Sequence, residues 1–320
     1  MPLVKQSSYV APPLFTNPHL QTIYPAIFRQ TWGVRYQRVR ITTPDDDFLD
    51  LDWSYVGSKR LAILTHGLEG HSKHSYILGM VKALNQRGVT ALAWNLRGCS
   101  GELNRKKHFY HMGFSDDLET VINHVKNNFD EIYLIGFSLG GNLTLKYLGQ
   151  RVEHVPANIK SAVAFSAPID LKSCVNRVTA HQNWFYFRKF MWTIERKISA
   201  KSVYHHLPTN VAEIRNIASF KELDDLFTAP LFGFENADEL WADSSSLKYL
   251  HKIRTPALLV TAADDPLLGS ECYPTEIAQK SDYFYFERPK QGGHVGFVSF
   301  NPQNEYWSET RALEFMGLLA

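Results

Sequence analysis

Glu131-Ile132-Tyr133-Leu134-Ile135-Gly136-Phe137-Ser138-Leu139-Gly140-Gly141-Asn142 is the stretch from which the fold is read. An apolar run too short for a helix leads into a turn of small residues around a single serine, and a helical pattern starts at once. Glycines at 136, 140 and 141 let strand and helix crowd together at a sharp bend. The sequence matches G-x-S-x-G, and strand, turn and helix stand in the order that makes such a serine an exposed nucleophile. The plain alternative is a glycine-rich helix start in a non-catalytic sheet protein, so the rest of the chain has to supply partners.

Outward from this stretch, strands and helices alternate. Strands are expected at Leu61–Thr65, Val89–Asn95, Ile159–Phe165, Pro256–Ala262 and Tyr283–Glu287, and helices at Ser75–Gln86, around Ser115–Asn127 and at Leu139–Gly149. Such alternation predicts an α/β domain with a mostly parallel central sheet and helices on both faces. Val34–Thr42 and Phe48–Tyr55 flank the turn Pro44-Asp45-Asp46-Asp47 and read as an antiparallel hairpin, after an irregular opening segment punctuated by prolines. A last helix is expected from about Asn304 to Leu319. Between residues 169 and 253 the rhythm stops, and the sequence turns to helix formers and aromatics (Trp184 to Trp192). We read residues 1–168 and 254–320 as one core domain and 169–253 as an inserted helical cap.

A serine hydroxyl is a poor nucleophile at neutral pH unless a base is held against it by an acid. Gly292-Gly293-His294-Val295-Gly296 follows the last strand, where small neighbours let an imidazole reach across the top of the sheet. His294 is the candidate base, with a surface-loop histidine as the bland reading; His66 and His111 are the competitors. Ala263-Asp264-Asp265-Pro266 offers two adjacent carboxylates, only one of which can face the histidine. Asp265, directly before the proline, is preferred, with Asp264 capping the turn. The chain order is then serine, acid, histidine, the order used by hydrolases of the α/β-hydrolase fold. Developing negative charge on a substrate oxygen needs fixed donors. The backbone N–H of Leu68, in Thr65-His66-Gly67-Leu68-Glu69-Gly70, and that of Leu139 are the candidates. His66 itself reads as a buried brace for that loop.

Composition narrows the function. The chain has 320 residues, 44% apolar and 21% charged, with 34 Lys and Arg against 32 Asp and Glu and a formal charge of +2. That is enough apolar material for a large core, and no field that argues for nucleic acid. Cys99, Cys174 and Cys272 show neither disulfide-framework nor zinc spacing. Met1–Leu14 lacks a signal-peptide core, and the apolar runs fall far short of the roughly 20 residues a membrane span requires. The expectations are a cytoplasmic protein, no integral membrane segment, no metal or organic cofactor and a small-molecule ester as partner.

The chain resembles the YheT-like branch of the α/β-hydrolases, which holds bacterial esterases and eukaryotic membrane-associated lipid hydrolases. The resemblance runs over nearly the whole sequence. It rests on Asn17-Pro18-His19-Leu20-Gln21-Thr22-Ile23-Tyr24-Pro25, His66-Gly67-Leu68-Glu69-Gly70, Asn95-Leu96-Arg97-Gly98-Cys99-Ser100-Gly101-Glu102, the Gly136–Gly141 turn, Phe227-Thr228-Ala229-Pro230-Leu231-Phe232-Gly233-Phe234, Asp264-Asp265-Pro266-Leu267 and Gly292-Gly293-His294-Val295-Gly296-Phe297. It implies carboxylic-ester hydrolysis with Ser138, Asp265 and His294 in the triad positions. Short- or medium-chain acyl esters are the implied substrates, with glycerolipids as an extension. Acyl transfer to another acceptor through the same triad, and ligand binding without turnover, are the rival expectations. The chain departs from the family pattern at Glu239-Leu240-Trp241, where a paired tyrosine is usual, which bears on pocket shape.

Overall fold

The computed structural model describes residues 2–319. Nine strands form one sheet: β1 (Leu3–Val4), β2 (Gln37–Thr42), β3 (Phe48–Ser54), β4 (Arg60–Thr65), β5 (Thr90–Asn95), β6 (Glu131–Phe137), β7 (Ile159–Phe165), β8 (Ala257–Val260) and β9 (Phe284–Glu287). Their order across the sheet is β1-β9-β8-β7-β6-β4-β5-β3-β2. The hairpin β2–β3 and the β3–β5 pair are antiparallel, and the other pairs are parallel. β6 lies in the middle and is buried from Ile132 to Phe137, which is why it reads as a continuous apolar run with no polar alternation.

Successive side chains along each strand feed opposite faces. Leu61, Ile63, Ile132 and Leu134 join one apolar cluster with α3 (Asp116–Val125) and α4 (Leu139–Gln150). Ala62, Leu64, Tyr133 and Ile135 join another with α2 (Ser75–Gln86) and the last helix, Trp307–Phe315. Between β7 and β8 the chain forms α5 (Leu171–Thr179), α6 (Trp184–Lys201), α7 (Val211–Asn216), α8 (Phe220–Leu223), α9 (Ala229–Phe232) and α10 (Ala237–Ser244), without a strand among the described residues. Leu171, Phe187, Met191 and Ile198 from this segment belong to the α3–α4 cluster, so it seals one face of the sheet and builds no core of its own. No helix among the described residues is long and apolar enough to cross a membrane.

The opening segment differs from the irregular reading. Pro18–Phe28 is a helix (α1), capped by Asn17, whose Oδ1 accepts from the backbone N–H groups of His19 and Leu20 at 2.9 and 3.1 Å. Pro18 sits at the first helical position, where a missing N–H costs nothing, so this one of the punctuating prolines is a start signal. Pro25 lies inside the helix and is buried. Residues before the caps of α1 contribute the short edge strand β1, paired in parallel with β9.

Candidate active site

The three sequence-selected side chains meet at the C-terminal ends of the parallel strands. Ser138 follows β6 directly and starts α4, with φ 51° and ψ −121°, a conformation that costs energy for any residue bearing a Cβ. Its backbone N–H donates to the Phe165 carbonyl at 2.8 Å, which helps hold the turn. The bend is possible because the flanking positions carry no side chain. A Cβ at Gly136 would come within 2.6 Å of Gly141 Cα, and one at Gly140 within 2.6 Å of the His66 carbonyl oxygen.

His294 Nε2 stands 2.8 Å from Ser138 Oγ, and its Nδ1 lies 2.9 and 3.1 Å from the two carboxylate oxygens of Asp265. An ionised carboxylate only accepts, so Nδ1 carries the proton and Nε2 is left to accept from the serine hydroxyl. Asp265 is buried, and its Oδ1 also accepts from the Leu267 N–H at 2.9 Å. Asp264 takes a different part: its Oδ1 accepts from the Gly293 N–H at 3.0 Å, bracing the loop that carries the histidine. Burial pushes the Asp264 carboxyl above the ordinary range; the Gly293 N–H works against that shift, and the neighbouring Asp265 charge adds to it.

Further supports for this loop come from residues to which sequence reasoning gave no role. Thr22 Oγ1, on α1, accepts from the His294 backbone N–H at 2.9 Å, and Ser166 Oγ, at the end of β7, accepts from Val295 N–H at 3.0 Å. The fully buried Gln21 accepts from Val298 N–H and donates to Tyr9 and the Phe15 carbonyl, tying α1 to the same loop. The signal was present in His19-Leu20-Gln21-Thr22, which the family resemblance marked as specific without saying what it does.

The candidate donors also converge here. A Cβ at Gly67 would lie 3.1 Å from Ser138 Cβ, so the loop after β4 runs directly over the serine. The Leu68 and Leu139 N–H groups donate to no protein acceptor among the described residues. Glu69, the next residue, is itself at φ 53°, and its carboxylate is gripped from two sides. Lys197, reaching down from α6, donates to it at 2.9 and 3.1 Å, and the Tyr110 hydroxyl donates at 2.8 Å while accepting from the Glu69 N–H. Helix α6 therefore holds, through Lys197, the loop that presents Leu68.

His66 and His111 stand apart from the proton path. His66 is fully buried; its Nδ1 donates to the Gly67 carbonyl and its Nε2 accepts from Leu96 N–H at 3.1 Å. His111 bonds Ser244 Oγ and accepts from Gly113 N–H. Burial drops both imidazoles from 6.5 to about 3, so both stay neutral in the folded protein. Below pH 6.5 the unfolded chain takes up these protons and the folded one does not, so stability is complete above that pH and is lost as pH falls. Each histidine's slope approaches about 1.4 kcal/mol per pH unit. Urea midpoints measured from about pH 7 to about pH 5 are expected to fall less steeply in His66→Gln than in the wild type. An equally steep fall in both would show that His66 does not carry this linkage.

Above Ser138 and His294 opens a cleft of about 560 Å3, including its mouth, walled by Leu171, Val175, Phe190, Phe220, Leu267 and Leu268. A second cavity, of about 600 Å3, begins beyond Leu68, Met112 and Phe220, which border both, and contains Glu69, Lys197 and Asp224. Cys174, in the wall of the first, lies 3.2 Å from Cys272, thiol to thiol.

Residues 63–299 match the family model described as alpha/beta hydrolase fold. Among curated proteins, YheT of Escherichia coli (strain K12) is 30% identical over 313 residues, covering 94% of this chain and 91% of the relative. Phospholipase ABHD3 of Bos taurus is 29% identical, covering 83% and 67%, and the monoacylglycerol lipase of Saccharomyces cerevisiae is 27% identical, covering 85% and 62%. Among solved structures, the Pyrococcus furiosus esterase Pf2001 shares the fold at a TM-score of 0.61 with 19% identity, over 96% of this chain and 98% of that one. By its sequence and its strand order alike, the chain belongs to the alpha/beta hydrolase fold family, in the YheT-like branch.

Proposed function

We propose that this protein hydrolyses carboxylic esters through an acyl-enzyme on Ser138, with His294 as general base and then general acid, and Asp265 as the residue that fixes its tautomer. The observation that carries the reading is the unbroken path Asp265–His294–Ser138, each step within hydrogen-bond distance, on the floor of an apolar cleft. In the first half-reaction Ser138 Oγ attacks the ester carbonyl and its proton passes to His294 Nε2. The oxyanion is held by the Leu68 and Leu139 N–H groups, and the departing alcohol takes the proton. Water repeats the steps against the acyl-enzyme and frees the acid.

We take residues 169–253 as the cap that selects substrate, because α5, α6 and α8 provide Leu171, Val175, Phe190 and Phe220 to the cleft wall. An apolar wall of this size suits short- to medium-chain acyl esters, with glycerolipid esters an extension that the lipid-hydrolase names of two relatives support. The lack of a disulfide or zinc pattern among Cys99, Cys174 and Cys272 supports a reducing, cytoplasmic setting for this activity.

A p-nitrophenyl ester series tests the assignment. kcat/KM should rise with acyl length until the cleft is full and then fall, and Val175→Trp should move the maximum to shorter chains. The longest accepted ester should lose on the order of 10- to 100-fold, the worth of a misfitting methylene or two. A length profile that the tryptophan leaves in place would remove this cleft as the acyl site.

A further inference from the structure

We propose that the outward face of α6 docks on an anionic lipid surface. At about 100° per residue, Trp184, Phe185, Arg188, Lys189, Trp192 and Arg196 fall within one arc of roughly 140°, while the buried Phe187, Met191, Ile198 and Lys201 occupy the opposite side. The outward arc is solvent-facing: Trp184 and Trp192 are 58% and 61% exposed, and Phe185 is 42% exposed. Solvent exposure of two indoles and a phenyl on one helix face is costly in water, and isolation does not explain it, because they alternate with cations one turn apart.

The Arg188 guanidinium stands 5.8 Å from the Trp184 ring and that of Arg196 4.6 Å from the Trp192 ring, so charge and aromatic surface are presented together. Indole and guanidinium are the groups that settle at the level of lipid headgroups, the ring in the acyl boundary and the cation on the phosphates. Glu195 is the one acid in the arc, and it is occupied by Arg215 at 2.8 Å. None of Arg188, Lys189 and Arg196 is ion-paired among the described residues. That excess of three cations is the charge complement of an anionic surface. The inward face of the same helix lines the two cavities through Phe190, Ile194 and Lys197, so docking would set the cleft one helix thickness, about 10 Å, from the lipid.

The proposal does not depend on the chemistry assigned to Ser138, and the test keeps the two apart. The full chain is sedimented with vesicles of phosphatidylcholine alone and of phosphatidylcholine with phosphatidylglycerol, and tryptophan emission is recorded. Binding to the anionic vesicles with a blue shift is expected, with little binding to the neutral ones. Arg188→Glu with Arg196→Glu should weaken it by roughly 30-fold or more. Trp184→Ser with Trp192→Ser should weaken it and abolish the shift. Both double variants should keep the wild-type melting temperature and the hydrolysis of a water-soluble acetate ester, and Ser138→Ala should bind vesicles as the wild type does. Absence of wild-type binding to anionic vesicles, or equal binding by the variants, would overturn the proposal. So would sedimentation velocity showing that the same substitutions split a dimer, which would give this face to a second copy of the chain.

Discussion

Ser138→Ala is expected to reduce kcat for ester hydrolysis by about 10⁶-fold, the scale seen when a serine hydrolase loses its nucleophile, leaving only what oriented binding and the oxyanion donors give. The reason is specific to the site. The Oγ is presented both to His294 Nε2, at 2.8 Å, and to the cleft, and among the described residues no second hydroxyl or thiol bonds that nitrogen to replace it. Cys174, the thiol in the cleft wall, is turned to Cys272, and burial keeps it protonated. Stability should change by less than about 0.5 kcal/mol, because alanine at φ 51° carries the same backbone strain as serine and the removed hydroxyl has no other protein partner. Intact-mass detection of a fluorophosphonate adduct checks the assignment directly. The wild type should gain one adduct and the alanine variant none; an adduct on the variant would place the nucleophile elsewhere.

The second large effect separates neighbouring carboxylates. Asp265→Asn should lower kcat by about 10⁴-fold, because an asparagine can turn its amide N–H toward His294 Nδ1. The ring would then carry its proton on Nε2 and present a donor to Ser138, where an acceptor is required. Asp264→Asn keeps an oxygen for the Gly293 N–H and leaves the ring untouched, so its loss should stay within about tenfold. Steady-state rates of the two variants under one condition decide the matter. A larger loss at 264 would mean that the loop brace, and not the bond to the imidazole, controls the reaction.

The two aspartates also illustrate how far the sequence reaches. Both stand in the turn that follows β8, before Pro266, and in sequence only the proline distinguishes them. In the fold, Asp265 has its carboxylate against the imidazole and the Leu267 N–H, while Asp264 turns to the backbone of the histidine loop. In the turn the two neighbouring side chains leave the backbone in different directions, so a one-residue difference is a difference of direction, which a linear pattern does not carry. The α1 helix was misread for a related reason. Pro18 and Pro25 look like breakers, yet Pro18 is the first residue of a capped helix, and the value of Thr22 and Gln21 lies in contacts with residues more than 270 positions away.

By itself the sequence determined the alternation of strands and helices, the serine turn with its obligatory small neighbours, and the histidine in its glycine-flanked loop. These are local matters: hydrophobic period, backbone conformation and steric room are written within a few residues of each position. Only the tertiary structure decided which carboxylate meets the imidazole, that α1 braces the histidine loop, that Lys197 on α6 grips Glu69 beside the Leu68 N–H, and which arc of α6 faces water. Each of those depends on side chains distant in sequence arriving at one place, and their energies come from direction and burial, which exist only once the sheet has brought its strand ends together.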